Sequence, residues 1–306
     1  MFKSAFLYLI KPGSFYSSDV LAEKLAESEF KGIGKIQHAA HGFVPPVGHS
    51  DGFIYELAGY QLIKLHTEKK NIKSSVIDAK LKLIFEEFED QEGYCPGRKI
   101  RMQMKDDLIA EMLPSIHPEP SNVTAHIDIK RGWLVVHAGS DKAADEFTAS
   151  LREALGSLAI VRVQIMPKFL SMVSTVAQSD FDLGAITLGD KAKFKDRSET
   201  NGPAVSVSNL SLYDEQIGEI LSRGYEMTEA LITYDDAITA LVTDGGQMKS
   251  IKLSDEVVRG AFVESEDRAA QVDADFVLSC NHFTRLYEHI ADYTKNQLTW
   301  EGLRGE

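Results

Sequence analysis

The stretch from Ile127 to Val163 constrains the fold more than any other part of the chain. Ile127 and Ile129, then Trp133 to Val136, read as two short strands with Arg131-Gly132 as the tight turn between them. Gly139-Ser140-Asp141 breaks the second strand and supplies side chains that can cap a helix. Ala144, Phe147, Leu151 and Leu155 then recur at three- and four-residue spacing, which places them on one helical face. Gly156 ends that helix, and Leu158 to Val163 reads as the next strand. A strand, strand, helix, strand unit is a small α+β core, and it carries no evident chemistry.

The residues before it fit the same class. Ala5 to Ile10 reads as a strand buried on both faces, and Ser17, Ser18 or Asp19 can cap a helix carrying Val20, Leu21 and Leu25, ended near Gly32. Two prolines between valines in Ile36 to Gly48 argue against a regular ladder, so that segment is expected to be a rigid loop. Phe53 to Ala58 and Tyr60 to His66 look like strands around Gly59. From Ser74 the period becomes helical, with Ile77, Leu81, Ile84, Phe85 and Phe88 in a stripe. Glu92 to Gly97 interrupts it, a second helix carries Leu108, Ile109, Met112 and Leu113, and Pro114, Pro118 and Pro120 close the section. The piece reads as a helical hairpin inserted between strand regions.

After Met166-Pro167, Phe169 to Val176 is a helix or a packed connection. Ala185 to Leu188, Lys191 to Lys195 and Ala204 to Val207 read as separate strands. Ser211 to Asp214 has capping-box spacing before Ile217, Ile220 and Leu221, and Gly224 ends that helix. Glu226 to Tyr234, Ala237 to Val242 and Lys249 to Leu253 read as strands, with Asp244-Gly245-Gly246 a hairpin turn. Gly260 to Asp275 is mixed and acidic, Phe276 to Leu278 reads as a last strand, and Phe283, Leu286, Tyr287 and Ile290 stripe a final helix. The expected fold is α+β: a mixed core over 1–165 with the helical insertion at about 74–118, then a second α+β domain over 166–306.

Charge narrows the function classes. The 306 residues include 33 basic and 46 acidic ones, a formal net charge of -13, which argues against a whole-surface nucleic-acid binder but leaves a locally basic cleft open. Cys95 and Cys280 lie too far apart in sequence to read as a disulfide framework, which fits a reducing, cytoplasmic compartment. The apolar run Ala5 to Ile10 is stopped by Lys11-Pro12-Gly13 and is too short for a signal peptide. No stretch approaches membrane-spanning length.

Catalytic signatures are missing: there is no phosphate loop, no nucleophile elbow and no His-Glu-x-x-His. Gly32-Ile33-Gly34 reads as a turn. His38 and His41 would bring two ring nitrogens near a metal only on a helix, and no third ligand is identifiable. Cys280-Asn281-His282 places a thiol beside an imidazole, but adjacent residues rarely face one another. Asp235-Asp236 and Asp273-x-Asp275 read as turn caps and solvated charge rather than magnesium ligands. The expectation is no enzyme, no cofactor and no metal.

The basic residues are more informative. Arg98, Lys99, Arg101 and Lys105 follow directly on the acidic run Glu86 to Glu92, and Lys69, Lys70 and Lys73 stand at the entrance to the insertion. Lys191, Lys193 and Lys195 would project from one face of a strand, with Ala192 and Phe194 on the other and Arg197 just beyond. Lys249 and Lys252 form a smaller patch. A one-sided basic strand can equally be a solvated surface or a phosphate-facing one. No element looks like a base-reading recognition helix, so a DNA-binding chain of this kind would hold the backbone and lose affinity steeply with salt.

Several short motifs, in order, resemble the bacterial recombination-associated RdgC family over nearly the whole length. They are Gly42-Phe-Val-Pro-Pro-Val-Gly48, Ser75-Val-Ile77, Leu113-Pro114, Ile127-Asp128, the Gly132 hairpin, Leu155-Gly-Ser-Leu158, Thr243-Asp-Gly-Gly246 before Lys249, and Ala274-Asp-Phe-Val-Leu278. The resemblance implies a ring-shaped homodimer around a wide hole lined by positive charge. It implies binding to duplex DNA, and to single strands, without sequence preference, association with the nucleoid, and restraint of RecA-driven strand exchange by occupying the DNA. It implies no catalysis. Two positions depart from the family pattern: Ser115-Ile116-His117 stand where Arg-Ala-Phe is common, and Lys249-Ser250-Ile251-Lys252 has one charge fewer than Lys-Arg-Leu-Lys. The competing reading is a protein-interaction scaffold in which the apolar stripe Ile77 to Phe88 docks a recombination partner and DNA contact is secondary.

Overall fold

Every residue of β1 (Ala5–Ile10) is buried because the strand lies in the middle of a sheet, with a neighbour on each edge and helices over both faces. One edge pairs with β6 (Trp133–His137). The other edge is shared end to end: β7 (Ile160–Arg162) takes Tyr8 to Ile10, and β12 (Gln247–Leu253) takes Ala5 and Phe6. The computed structural model describes all residues except 1, 15, 49–51, 178–182, 199–201, 261–267, 301 and 303–306. Among the described residues the strands form one antiparallel sheet of 12, with the path β2-β4-β5-β6-β1-β12-β11-β10-β8-β9. The remaining strands are β2 (Ala39–Val44), β3 (Tyr55–Leu57), β4 (Tyr60–Lys69), β5 (Glu119–Asp128), β8 (Ile186–Asp196), β9 (Ala204–Ser208), β10 (Tyr225–Tyr234) and β11 (Ile238–Thr243).

Strand alternation divides the core between the two faces of the sheet. On one face, Phe6, Tyr8, Phe43, Ile63, Leu134 and Val136 pack against α1 (Ser18–Glu27) and α4 (Asp141–Leu155) through Leu21, Leu25, Phe147 and Leu151. The cap of α4 is as expected: Ser140 Oγ accepts from the amide of Ala143, and Gly156 at φ +74 ends the helix. On the other face, Leu7, Leu9 and Trp133 are continuous with Phe169, Phe194, Ile217, Ile232, Phe283 and Tyr287. That side is covered by α5 (Met166–Val176), α6 (Glu215–Ser222) and α8 (Arg268–Tyr293). Among the described residues no core residue on the α1 and α4 side comes from β8 to β12, so no described helix core covers that half of the sheet on this face.

The hairpin α2 (Ser74–Glu92) and α3 (Arg98–Met112) projects from the end of the β4–β5 ladder. It has its own small core of Ile77, Leu81 and Leu108, supported by Ile84 and Phe85. A short helix, α7 (Asp255–Gly260), follows β12.

Several elements differ from the sequence-based expectation. Ala39 to Val44 is a strand paired with β4 rather than a loop, because the prolines begin only at Pro45. β5 starts at Glu119 and keeps Pro120 within its paired stretch, and the turn after it spans four residues with exposed Ile129 inside it. The first helix ends at Ser28, before Gly32, and leaves Val20 exposed. Ala185 to Leu188 and Lys191 to Lys195 belong to the one strand β8, with a register irregularity where Gly189-Asp190 lies. The cap of α6 is Asp214, which accepts from the amide of Gln216, rather than Ser211. Phe276 to Leu278 is helical, part of the 26-residue α8. Part of the acidic segment from Gly260 to Asp275 lies outside the described residues.

Candidate nucleic-acid interface

The half of the sheet from β8 to β12 is where basic side chains converge. Along β8, Ala192 and Phe194 are buried against the helices, so Lys191, Lys193 and Lys195 project from the uncovered face. Lys249 and Lys252 on β12 are three residues apart, which in a regular strand would put them on opposite faces. Ser250 adopts φ +50, and the β11–β12 register shifts so that Lys249 faces Leu241 while Lys252 faces Thr239. The bulge therefore restores both lysines to one face. It is the face of the β8 lysines, since Lys193 lies opposite Glu229 on β10 and Glu229 meets Lys249. Three strand-to-strand steps separate β8 from β12, roughly 14 Å at about 4.8 Å each.

Acidic residues are interleaved with these cations. Lys249 Nζ lies 3.2 Å from Glu229 Oε1. Arg197 Nε lies 3.2 Å from Glu226 Oε2, and the same guanidinium also pairs with Asp244. Among the described residues, Lys191, Lys193, Lys195 and Lys252 carry no ion pair.

A family model described as "Putative exonuclease, RdgC" matches residues 1–297. The chain belongs to the RdgC family. Relatives of the RdgC family named "Recombination-associated protein RdgC" share about a quarter of their residues with it. The Pseudoalteromonas atlantica protein is 25% identical over 292 residues, 95% of this chain and 96% of the relative. The Mannheimia succiniciproducens protein is 25% identical over 303 residues, 97% and 99% of the two chains. The Xanthomonas campestris protein is 26% identical over 276 residues, 89% and 90%.

The other basic residues singled out in this RdgC-family sequence fall into three groups. At the hairpin, Lys73, Arg98, Lys99 and Lys105 are exposed. Arg101 donates from Nε to the carbonyl of Pro96 at 2.7 Å and lies over the Phe85 ring, which ties the interhelical loop to α2. Arg98, Lys99 and Arg101 occupy the first turn of α3, where the helix dipole disfavours cations and favours anions. At the foot of the hairpin, Lys69 pairs with Glu146 of α4 at 3.0 Å. Lys70 is buried, and its ammonium donates to the carbonyls of Gly34 and Lys35 at 3.1 and 2.7 Å. The ammonium of Lys70 thus braces the loop before β2 instead of reaching solvent.

The candidate catalytic residues are dispersed. His38 and His41 are exposed, and His41 lies on β2, which removes the helical spacing. Among the described residues no group of three or more His, Cys, Asp or Glu could hold a metal ion. Asp235 and Asp236 sit at φ +53 and +50 in the β10–β11 turn. Asp273 accepts from the Tyr55 hydroxyl at 2.7 Å, joining α8 to β3. Cys280 is buried, and its nearest imidazole is that of His126 at 3.7 Å rather than its sequence neighbour His282. Burial pushes the Cys280 thiol well above its ordinary pKa, the opposite of an activated nucleophile.

Two features were beyond sequence reasoning. Buried His126 and half-buried His137 form an imidazole pair brought together by the β5–β6 ladder, with Cys280 beside His126. Arg162 joins the two parts of the sheet: it binds Asp141 of α4 at 2.7 Å and the Gly245 carbonyl at 2.6 Å, and lies over Phe6. The ion pairs that Glu226, Glu229 and Asp244 make with Arg197 and Lys249 were also not legible in the sequence. The alternation of Glu226 and Glu229 against the β8 lysines becomes meaningful only once β10 is known to pair with β8.

Proposed function

We propose that the chain is a non-enzymatic, sequence-independent DNA-binding protein that acts in homologous recombination as a ring-forming homodimer, restraining RecA-dependent strand exchange by occupying the DNA. The observation that carries the reading is the uncovered sheet face with Lys191, Lys193 and Lys195 on one row and Lys249 and Lys252 on another. The rows lie roughly 14 Å apart, comparable to a major groove about 12 Å wide, so both could meet phosphates of one duplex. Among the described residues no helix core is built on this face to carry a base-reading helix, which favours backbone contact without sequence preference. Lys73, Arg98, Lys99, Arg101 and Lys105 on the hairpin would extend the contact, with Lys69 and Arg197 joining if their acids are displaced. Lys70 is omitted because its ammonium is spent on backbone carbonyls. A cytoplasmic, nucleoid-associated protein follows from this reading. No described helix is long and apolar enough to cross a membrane.

Titration of a long random duplex, and of a single strand, at two salt concentrations tests the proposal. Binding that weakens steeply with salt supports it, and absent or salt-independent binding refutes it.

A second reading is favoured by one observation. Val76 and Leu83 on α2 and Ile100 and Met102 on α3 are exposed apolar side chains on the projecting hairpin. A scaffold that docks a recombination partner through them would keep its inhibition of recombinase when Lys191, Lys193 and Lys195 are reversed to glutamate. Loss of inhibition in that variant favours the DNA-binding reading.

A further inference from the structure

We infer that Glu229 is an internal competitor for phosphate: it holds Lys249 in the free protein and so makes duplex binding weaker and less salt-dependent than the lysines alone would make it. The inference rests on the DNA-binding reading above and assigns a role within that same surface. Glu229 lies on β10 between the two basic rows, directly opposite Lys193 on β8 and 3.2 Å from Lys249 Nζ. Both partners of the Glu229–Lys249 pair are partly shielded from solvent, with side chains 24% and 36% exposed, so the pair is screened less than a fully exposed one.

A phosphate that takes Lys249 must break this pair and then sit beside a carboxylate left without its partner. Both costs fall on the complex and not on the free protein. The arrangement recurs at the end of β8, where Glu226 and Asp244 together hold Arg197. Among the described residues Lys191, Lys193, Lys195 and Lys252 carry no ion pair, although Glu229 and Glu226 stand opposite Lys193 and Lys195 on β10. Lys249 and Arg197 are therefore neutralised from within the face, while Lys191, Lys193, Lys195 and Lys252 are open to an anion.

Glu229→Gln keeps the shape and removes the charge. One added phosphate contact steepens the dependence of log affinity on log salt by about 0.9, so the loss of affinity between about 50 and 200 mM salt should grow by about 3.5-fold. The control is Glu219→Gln on α6, the same charge change on a helix that covers the opposite face. Lys249→Gln and the Glu229→Gln/Lys249→Gln double variant complete a mutant cycle. The expected result is that Glu229→Gln binds a random duplex at least about threefold more tightly at the lower salt, with the steeper slope. Glu219→Gln should stay near wild type, and the gain should vanish when Lys249 is absent. An equal gain from Glu219→Gln, or a gain that persists without Lys249, overturns the inference and leaves the DNA-binding reading standing. If neither wild type nor Glu229→Gln binds duplex at the lower salt, the DNA-binding reading itself falls, and this inference with it.

Discussion

His126 Nδ1 and His137 Nε2 stand 2.8 Å apart across the β5–β6 ladder, so one neutral imidazole donates its N–H to the unprotonated nitrogen of the other. Thr124 Oγ1 lies 2.8 Å from His137 Nδ1, and Phe2 stacks on the His137 ring at 4.1 Å. Burial holds the pKa of His126 down at about 3, and burial together with its neighbour holds His137 well below the usual imidazole value.

Stability should therefore depend on pH with a definite sign. Both groups are neutral in the fold and titrate near their ordinary value of about 6.5 when unfolded. Below that value the unfolded chain takes up protons that the fold refuses, so stability is full above it and falls with pH down toward about 3. His126 contributes a slope of about 1.4 kcal/mol per pH unit in that window, and His137 adds to it with the same sign. Denaturant unfolding at pH 7 and pH 5 checks this, and His137→Gln should flatten the slope.

Reversal of Lys191, Lys193 and Lys195 to glutamate should weaken duplex binding uniformly across sequences. Loss of three phosphate contacts lowers the salt slope by about 2.7. The side chains are on the uncovered face, so the circular dichroism spectrum and melting temperature should stay close to wild type. An unchanged salt slope would remove β8 from the interface.

Gly246→Ala should destabilise the junction of the sheet by roughly 1–3 kcal/mol. Gly246 has φ +80, and an added Cβ would lie 2.9 Å from the Val163 carbonyl oxygen. Its own carbonyl also accepts from the buried Tyr287 hydroxyl at 3.2 Å. Thermal unfolding of the variant measures the effect.

Leu81→Ala should cost roughly 2–5 kcal/mol, concentrated in the hairpin. The hairpin core is separate from the two sheet cores, so α2 and α3 can loosen while the sheet persists. Hydrogen exchange should accelerate across 74–112 and stay slow in β1 and β6. Uniform acceleration would show that the hairpin is coupled to the sheet.

Incubation of the purified chain with linear DNA and either Mg²⁺ or Mn²⁺ should leave the DNA intact at full length. This outcome follows from the non-enzymatic reading proposed above, whereas the family description "Putative exonuclease, RdgC" points the other way. Progressive shortening from the ends would replace the non-enzymatic reading with an exonuclease.

Local pattern carried much of this architecture. Within Ile127 to Val163 the strand Trp133 to Val136 and the helix after it are legible because their periods hold and the cap, Ser140, precedes the apolar stripe directly, whereas Ile129 keeps the strand period yet lies exposed in the turn. The alternation of Lys191, Lys193 and Lys195 with Ala192 and Phe194 likewise announced a strand with one basic face. Phe276 to Leu278 misled because Phe, Val and Leu in a short window suit either state. The longer spacing Phe276, Cys280, Phe283, Tyr287, Ile290 holds the helical answer, and all five are buried. The shared face of Lys249 and Lys252 was hidden because it depends on a bulge at Ser250, a residue with no intrinsic preference for positive φ. The pairing of β1 with β12, and the meeting of His126 with Cys280, join residues far apart in the chain, and no local window contains them.

The divided edge of β1 sets an order of assembly. Its half next to β7 can close once residue 162 is made, but Ala5 and Phe6 wait for Met248 and Gln247, roughly 240 residues downstream. At ribosomal rates of about 5–20 residues per second, that is roughly 12–50 s with a strand edge open. A nascent chain with an unpaired edge is a template for the wrong partner. Arg162, which later binds the Gly245 carbonyl, is in place only for roughly the last third of that interval. The seam that completes the sheet is therefore a late, single closure, and slow synthesis anywhere before β12 should raise aggregation of this chain.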